Sequence, residues 1–209
     1  MKPFIIGVTG GSGSGKTTLV KELRKKFSPE QLCLISQDNY YRPIEHQKLD
    51  KNGVVNFDLP KSIDKKSFLR DVEKLIKGEK VVQMEYTFNN EKATPKEIVL
   101  LPAPILIVEG IFVFHYKKMR KLMDLKIFVH AKENLKVIRR INRDRVERNY
   151  PLDEVLYQYK NHVLPAYEKY ILPYKENADL IINNNDDFDK GLMVLSGFLM
   201  NLIEERSQS

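Results

Sequence analysis

A chain of 209 residues with 42% apolar side chains can bury one real core, so a single domain spanning 1–209 is expected. One cysteine excludes a disulfide framework, and no apolar run approaches the roughly 20 residues that a bilayer crossing needs. The net charge of +7 suits an anionic partner such as a phosphate compound; nothing else points to a nucleic acid, and none is expected.

Phe4–Val8 is a strand-length apolar run, too short for a secretory signal, which leaves the cytoplasm as the expected compartment and no membrane as a partner. Leu19, Val20, Leu23 and Phe27 then keep helical spacing. Leu32–Ile35 is a second strand, and its Cys33 reads as a buried small hydrophobe. Phe68, Leu69, Val72, Leu75 and Ile76 mark a helix that Gly78 stops. Val81–Phe88 and Ile98–Leu101 predict an antiparallel hairpin inserted at about 81–101. Strands follow at Ile105–Val108, Leu125–Val129 and Leu180–Ile182. Between the last two lies a basic helix with an apolar stripe of Leu135, Ile138 and Ile141; residues 132–148 hold seven basic against three acidic side chains. Only Glu204–Ser209 reads as frayed. Strands alternating with helices predict an α/β fold, a parallel sheet with helices on both faces.

Gly10, Gly11, Ser12, Gly13, Ser14, Gly15, Lys16 and Thr17 match the P-loop pattern at every fixed position, and Thr18 follows in the helix. The glycines allow backbone N–H groups to turn inward around phosphate oxygens, reinforced by the positive end of the next helix. Lys16 is placed to reach the β- and γ-phosphates of ATP, and the Thr17 hydroxyl to ligate Mg²⁺. No Asn-Lys-x-Asp segment is present, which argues against a GTPase. Ligands of open parallel sheets collect at the carboxyl ends of strands. Asp38 follows the second strand there, and Glu109 follows Ile105–Val108, where a carboxylate can hold Mg²⁺ opposite Thr17.

With these segments in hand, residues 4–182 resemble the uridine kinase (uridine–cytidine kinase) family of P-loop kinases. The resemblance rests on the P-loop together with Ser36-Gln-Asp-Asn-Tyr-Tyr-Arg42, Asn56-Phe-Asp-Leu-Pro60, Tyr86-Thr-Phe88, Val108-Glu-Gly110, Arg139-Arg-Ile-Asn-Arg-Asp144 and Gln158-Tyr159. It implies ATP-dependent phosphorylation of the 5′-hydroxyl of uridine or cytidine, with Mg²⁺. Asp38 is then the base toward that hydroxyl, with a place beside the metal, and Asp58 accepts hydrogen bonds from the ribose hydroxyls. Tyr86 contacts the base, Tyr41, Phe57 and Phe88 supply apolar walls, and Arg140 and Gln158 face the nucleoside. Arg143 stabilises the transferring phosphoryl group from a lid at about 132–150. The resemblance also implies a homotetramer. Related P-loop kinases for another small hydroxyl acceptor (phosphoribulokinase- or pantothenate kinase-like) and a non-catalytic ATP-binding regulator are the alternatives.

The chain departs from the family pattern in the hairpin and after the basic helix. Glu91 stands where the family usually has a base-contacting histidine, Ala93 replaces an arginine, and Tyr150 stands where an arginine meets the nucleoside. A carboxylate at 91 only accepts hydrogen bonds, and cytosine offers an amino donor where uracil offers a carbonyl. If the acceptor is a pyrimidine nucleoside, cytidine is therefore expected to be preferred over uridine by roughly ten- to hundredfold. Comparing kcat/KM for both nucleosides in the native protein and in Glu91→His checks this; equal ratios in the two proteins contradict it.

Overall fold

The structure, a computed structural model, describes residues 2–87, 94–146 and 150–207. Strand β1 (Phe4–Thr9) runs through the glycine loop into helix α1 (Lys16–Arg24), and β2 (Leu32–Ser36) follows. A two-stranded ribbon, β3 (Lys48–Leu49) and β4 (Val55–Asn56), precedes α2 (Lys65–Ile76). Strands β5 (Val81–Met84) and β6 (Glu97–Leu100) form an antiparallel pair. Then come β7 (Ile105–Glu109), α3 (Lys117–Arg120), β8 (Leu125–His130), α4 (Glu133–Val146) and α5 (Leu152–Gln158). A π-helical turn (Tyr159–Val163) leads into α6 (Leu164–Tyr170), β9 (Leu180–Asn183) and α7 (Asp189–Ser207).

β1, β2, β7, β8 and β9 make one parallel sheet in the order β2-β7-β1-β8-β9. Because side chains alternate along each strand, the sheet buries two apolar faces. Ile5, Ile35, Leu106, Val108 and Phe128 pack against Phe68, Val72 and Leu75 of α2. Ile6, Val8, Ile107, Ile127 and Val129 pack on the other face against Leu19, Val20 and Leu23 of α1 and Leu195 and Leu199 of α7. Cys33 is buried, and that burial pushes its thiol up to about 11. Among the described residues no helix is long and apolar enough to cross a membrane.

The five sheet strands and the α2 stop at Gly78 agree with the sequence reading. Asp64 starts α2 by accepting from the backbone N–H groups of Lys66 and Ser67, and Gly78 takes φ 84° just beyond its end. The first hairpin strand is shorter than expected, ending at Met84, the second has the expected length but runs one residue earlier, Glu97–Leu100, and residues 88–93 lie outside the described set.

One expectation needs correcting. Residues 204–207 are not frayed: α7 continues to Ser207, and Arg206 donates to the carbonyls of Lys2 and Pro104. α7 escaped notice because Met193, Val194, Phe198 and Met200 are exposed beside the buried Leu195 and Leu199, so no single apolar stripe stands out. α4 docks by its polar face. It buries Lys136, Arg140 and Asp144, whereas Ile138, from the apolar stripe, is 52% exposed. α4 packs on the glycine loop rather than on the apolar sheet, and that loop presents backbone and hydroxyl groups that a polar face satisfies.

Leu199 is fully buried between α7 and the sheet. Leu199→Ala is expected to lower the unfolding free energy by about 2–5 kcal/mol in chemical denaturation. A loss under about 1 kcal/mol would show that α7 contributes little to the core.

Candidate active site

The site grows from strand register. Ser36, the last residue of β2, lies beside Glu109, the last of β7, and Glu109 lies beside Val8 of β1. The Ser36 hydroxyl donates to Glu109 Oε2 at 3.0 Å and accepts from the backbone N–H of Asp38 at 3.3 Å. One hydroxyl thus sets two carboxylates relative to each other at the carboxyl edge of the sheet. Gln37, fully buried between them in sequence, accepts from the Phe112 N–H and packs against Gly110. Asn39 accepts from the Tyr86 N–H, which ties the hairpin to the Asp38 turn.

The glycine loop is cramped as well as flexible. A Cβ on Gly10 would lie 2.3 Å from the carbonyl oxygen of Val129, and one on Gly13, at φ 78°, would lie 2.4 Å from that of Lys136. Lys16 folds back into the loop and donates to the Gly11 carbonyl at 3.2 Å. α1 begins there without a side-chain cap, so its first N–H groups remain for an anion. Burial pushes the Lys16 ammonium below its ordinary pKa, opposed by Glu109 and Asp38. Burial likewise raises the Glu109 carboxyl, and Asp38 raises it further against Lys16 and the Ser36 and Thr17 hydroxyls. Two carboxylates and a hydroxyl that converge in this way suit a small hard cation, which would relieve the repulsion between Asp38 and Glu109.

α4 closes the loop from above. Arg140 donates to the Ser12 hydroxyl at 3.1 Å, and its guanidinium lies 3.9 Å from Asp58 and 3.0 Å from Asp144. Arg143 donates to the other Asp144 oxygen at 2.8 Å, so one buried carboxylate aims two guanidinium groups. Lys136 packs against Gly11 of the loop, with its ammonium 3.5 Å from the Tyr167 ring centroid.

A cavity of about 530 Å³ joins these parts. Its lining combines Ser12, Gly13, Gly15, Lys16, Thr17 and Thr18 of the glycine loop and α1, Asp38 and Glu109 from the sheet edge, Arg139 and Arg143 of α4, and Tyr41, Phe57, Asp58, Tyr86 and Gln158. Tyr41 stands 6.2 Å from Phe57 and 5.3 Å from Tyr86 between ring centroids, forming an aromatic wall. Gly10, Gly11 and Ser14 brace the loop from behind instead of lining the cavity; the Ser14 carbonyl accepts from the buried Asn184 side chain. Arg140, expected to face the nucleoside, also bridges the phosphate loop to Asp58. Phe88 and Glu91 lie outside the described residues, as does Arg148.

Sequence reading overlooked several contributors. His162 and Lys21 line the cavity, and Tyr150 does so where an arginine was noted as missing. Ser36 was visible as the residue two before Asp38, the spacing at which a serine hydroxyl caps a turn. Asn184 and His162 carried no comparable signal, because each acts through a partner more than 100 residues away.

Comparison with known proteins agrees with this geometry. Residues 5–189 match the phosphoribulokinase/uridine kinase family. A uridine kinase from Borrelia duttonii (strain Ly) is 41% identical over 207 residues, covering 98% of both chains. One from Brevibacillus brevis is 35% identical over 206 residues, covering 99% of this chain and 96% of its own. Among solved structures, the phosphoribulokinase from Rhodobacter spheroides superposes with a TM-score of 0.59 at 18% identity, covering 87% of this chain and 70% of that one, which is a likeness of fold. This chain belongs to the phosphoribulokinase/uridine kinase family.

Proposed function

We propose that the chain transfers the γ-phosphoryl group of ATP to the 5′-hydroxyl of a pyrimidine nucleoside, uridine or cytidine. The observation that carries this is one cavity whose lining holds the Lys16 loop, the Asp58 carboxylate, the Tyr41 and Tyr86 rings and Asp38 together. The relatives matched over nearly their whole length are uridine kinases, which supports the same reading. An aromatic wall suits a flat base better than it suits a sugar phosphate or pantothenate.

In this reading the loop N–H groups and Lys16 hold the β- and γ-phosphates. Asp38 takes the proton of the 5′-hydroxyl as the oxygen–phosphorus bond forms and the bond to ADP breaks. Asp58 orients the ribose through its hydroxyls. Thr17, Glu109 and Asp38 are the residues that would hold Mg²⁺, which when bound neutralises phosphate charge. Arg140 and Arg143, aimed by Asp144, stabilise charge on the transferring group without being rebuilt during the reaction.

Two substitutions test the assignment in a coupled ADP-release assay with uridine and cytidine. Lys16→Ala is expected to abolish transfer with the fold intact by circular dichroism; near-normal turnover would rule out the phosphate site. Asp38→Asn keeps shape but cannot take a proton, and is expected to lower kcat by roughly 10²–10⁴-fold while the KM for ATP changes little. A raised KM for ATP with unchanged kcat would instead assign Asp38 to the nucleotide.

A further inference from the structure

His162 is a buried side chain in the cavity wall, beside Gln158, that the reading above does not use. It sits in the π-helical turn Tyr159–Val163. Pro165 accounts for that turn: it has no N–H to give, and its ring crowds the carbonyl of Asn161, four residues earlier. Gln158 and His162, also four apart, share one face, and both line the cavity.

The ring is held from outside the helix. Its Nε2 lies 2.7 Å from Asp50 Oδ2, in the loop between β3 and β4. The same oxygen accepts from the Tyr157 hydroxyl at 2.7 Å, and Asn52 donates to that hydroxyl at 2.6 Å. Asp50 Oδ1 accepts from the backbone N–H groups of Asn52 and Val54. Tyr157 also meets the imidazole edge-on, at 5.8 Å between centroids. The Tyr157 hydroxyl holds the Asp50 carboxyl well below the usual carboxylate range, against its burial, with His162 and the two backbone groups adding to it. An ionised carboxylate only accepts, so Nε2 carries the hydrogen in this contact. Among the described residues no group engages Nδ1, and in the neutral ring Nδ1 is an acceptor.

We propose that His162 is a specificity-determining residue of the acceptor site, accepting through Nδ1 a hydrogen bond from a hydroxyl of the bound nucleoside, with Asp50 as its positioning residue. The arrangement accounts for three features together: a histidine in a cavity wall, a loop carboxylate with four hydrogen-bond partners, and a widened turn that carries the ring. It rests on the nucleoside reading of the cavity.

The test is steady-state kinetics on the full chain with uridine and cytidine. His162→Gln can still donate to Asp50, so the brace survives while the ring acceptor is lost. The expected result is about a tenfold or greater rise in the nucleoside KM, with the KM for ATP within about twofold of native. Asp50→Asn, which frees the ring to choose its tautomer, is expected to raise the same KM and spare that of ATP. A nucleoside KM unchanged in His162→Gln would show the ring to be a brace only and overturn the proposal. Should that variant fail to melt cooperatively, Asp50→Asn decides: an unchanged nucleoside KM, or an equal rise in both KM values, overturns it. No turnover of either nucleoside by the native protein would overturn the functional reading and this proposal together, whereas native turnover with indifferent variants overturns this proposal alone.

Discussion

The site depends on a helix that lies, charged face down, on a loop with no side chains in the way. α4 buries Lys136, Arg140 and Asp144 against the glycine loop, close enough that a methyl group on Gly13 would collide with the Lys136 carbonyl. Burying charge is expensive unless every group is paired, and removing one partner costs more than the pair itself contributes. Here the partners are in place: Asp144 takes both Arg140 and Arg143, Arg140 adds Ser12, and Lys136 has Glu133 and the face of Tyr167. The glycines therefore leave room for the helix backbone on one side and, in the proposed reading, for the phosphates on the other.

That contact organises the rest of the cavity. The Arg140 guanidinium stands between Ser12 of the phosphate loop and Asp58 at the acceptor end, so the two halves share a cation. On the other wall, Ser36 links Glu109 and Asp38 through a single hydroxyl, itself set by the register of β2 on β7. Donor and acceptor groups are thus located by short polar links between rigid elements, the condition under which catalytic groups act without reorganising.

Much of this was legible in the sequence, and what was not has a physical reason. The runs that mark the five sheet strands are apolar apart from Gly7 and Lys126, as expected of buried parallel strands, and the glycine loop carries its chemistry in its spacing. Asp38 and Glu109 were readable because each directly follows or closely trails such a run. The four-residue spacing of Arg140 and Asp144 put them on one face of α4, but that this face lies on the glycine loop through Ser12 and the Gly13 backbone is a long-range contact without a local signal. α7 was invisible because its outward face is nearly as apolar as its inward one. Asp50 and His162, separated by 112 positions, meet only once the ribbon and the π-helical turn are folded together. No local pattern announces such a pair.

The central claim is that one cavity couples an ATP-type phosphate loop to a nucleoside pocket. It is tested most directly by ADP release from the native protein with ATP and Mg²⁺, across uridine, cytidine, their deoxy forms, ribulose phosphate and pantothenate. Turnover with the pyrimidine ribonucleosides, reduced for the deoxy forms that lack a hydroxyl for Asp58, is the predicted result. Turnover with ribulose phosphate or pantothenate and none with either ribonucleoside would contradict it.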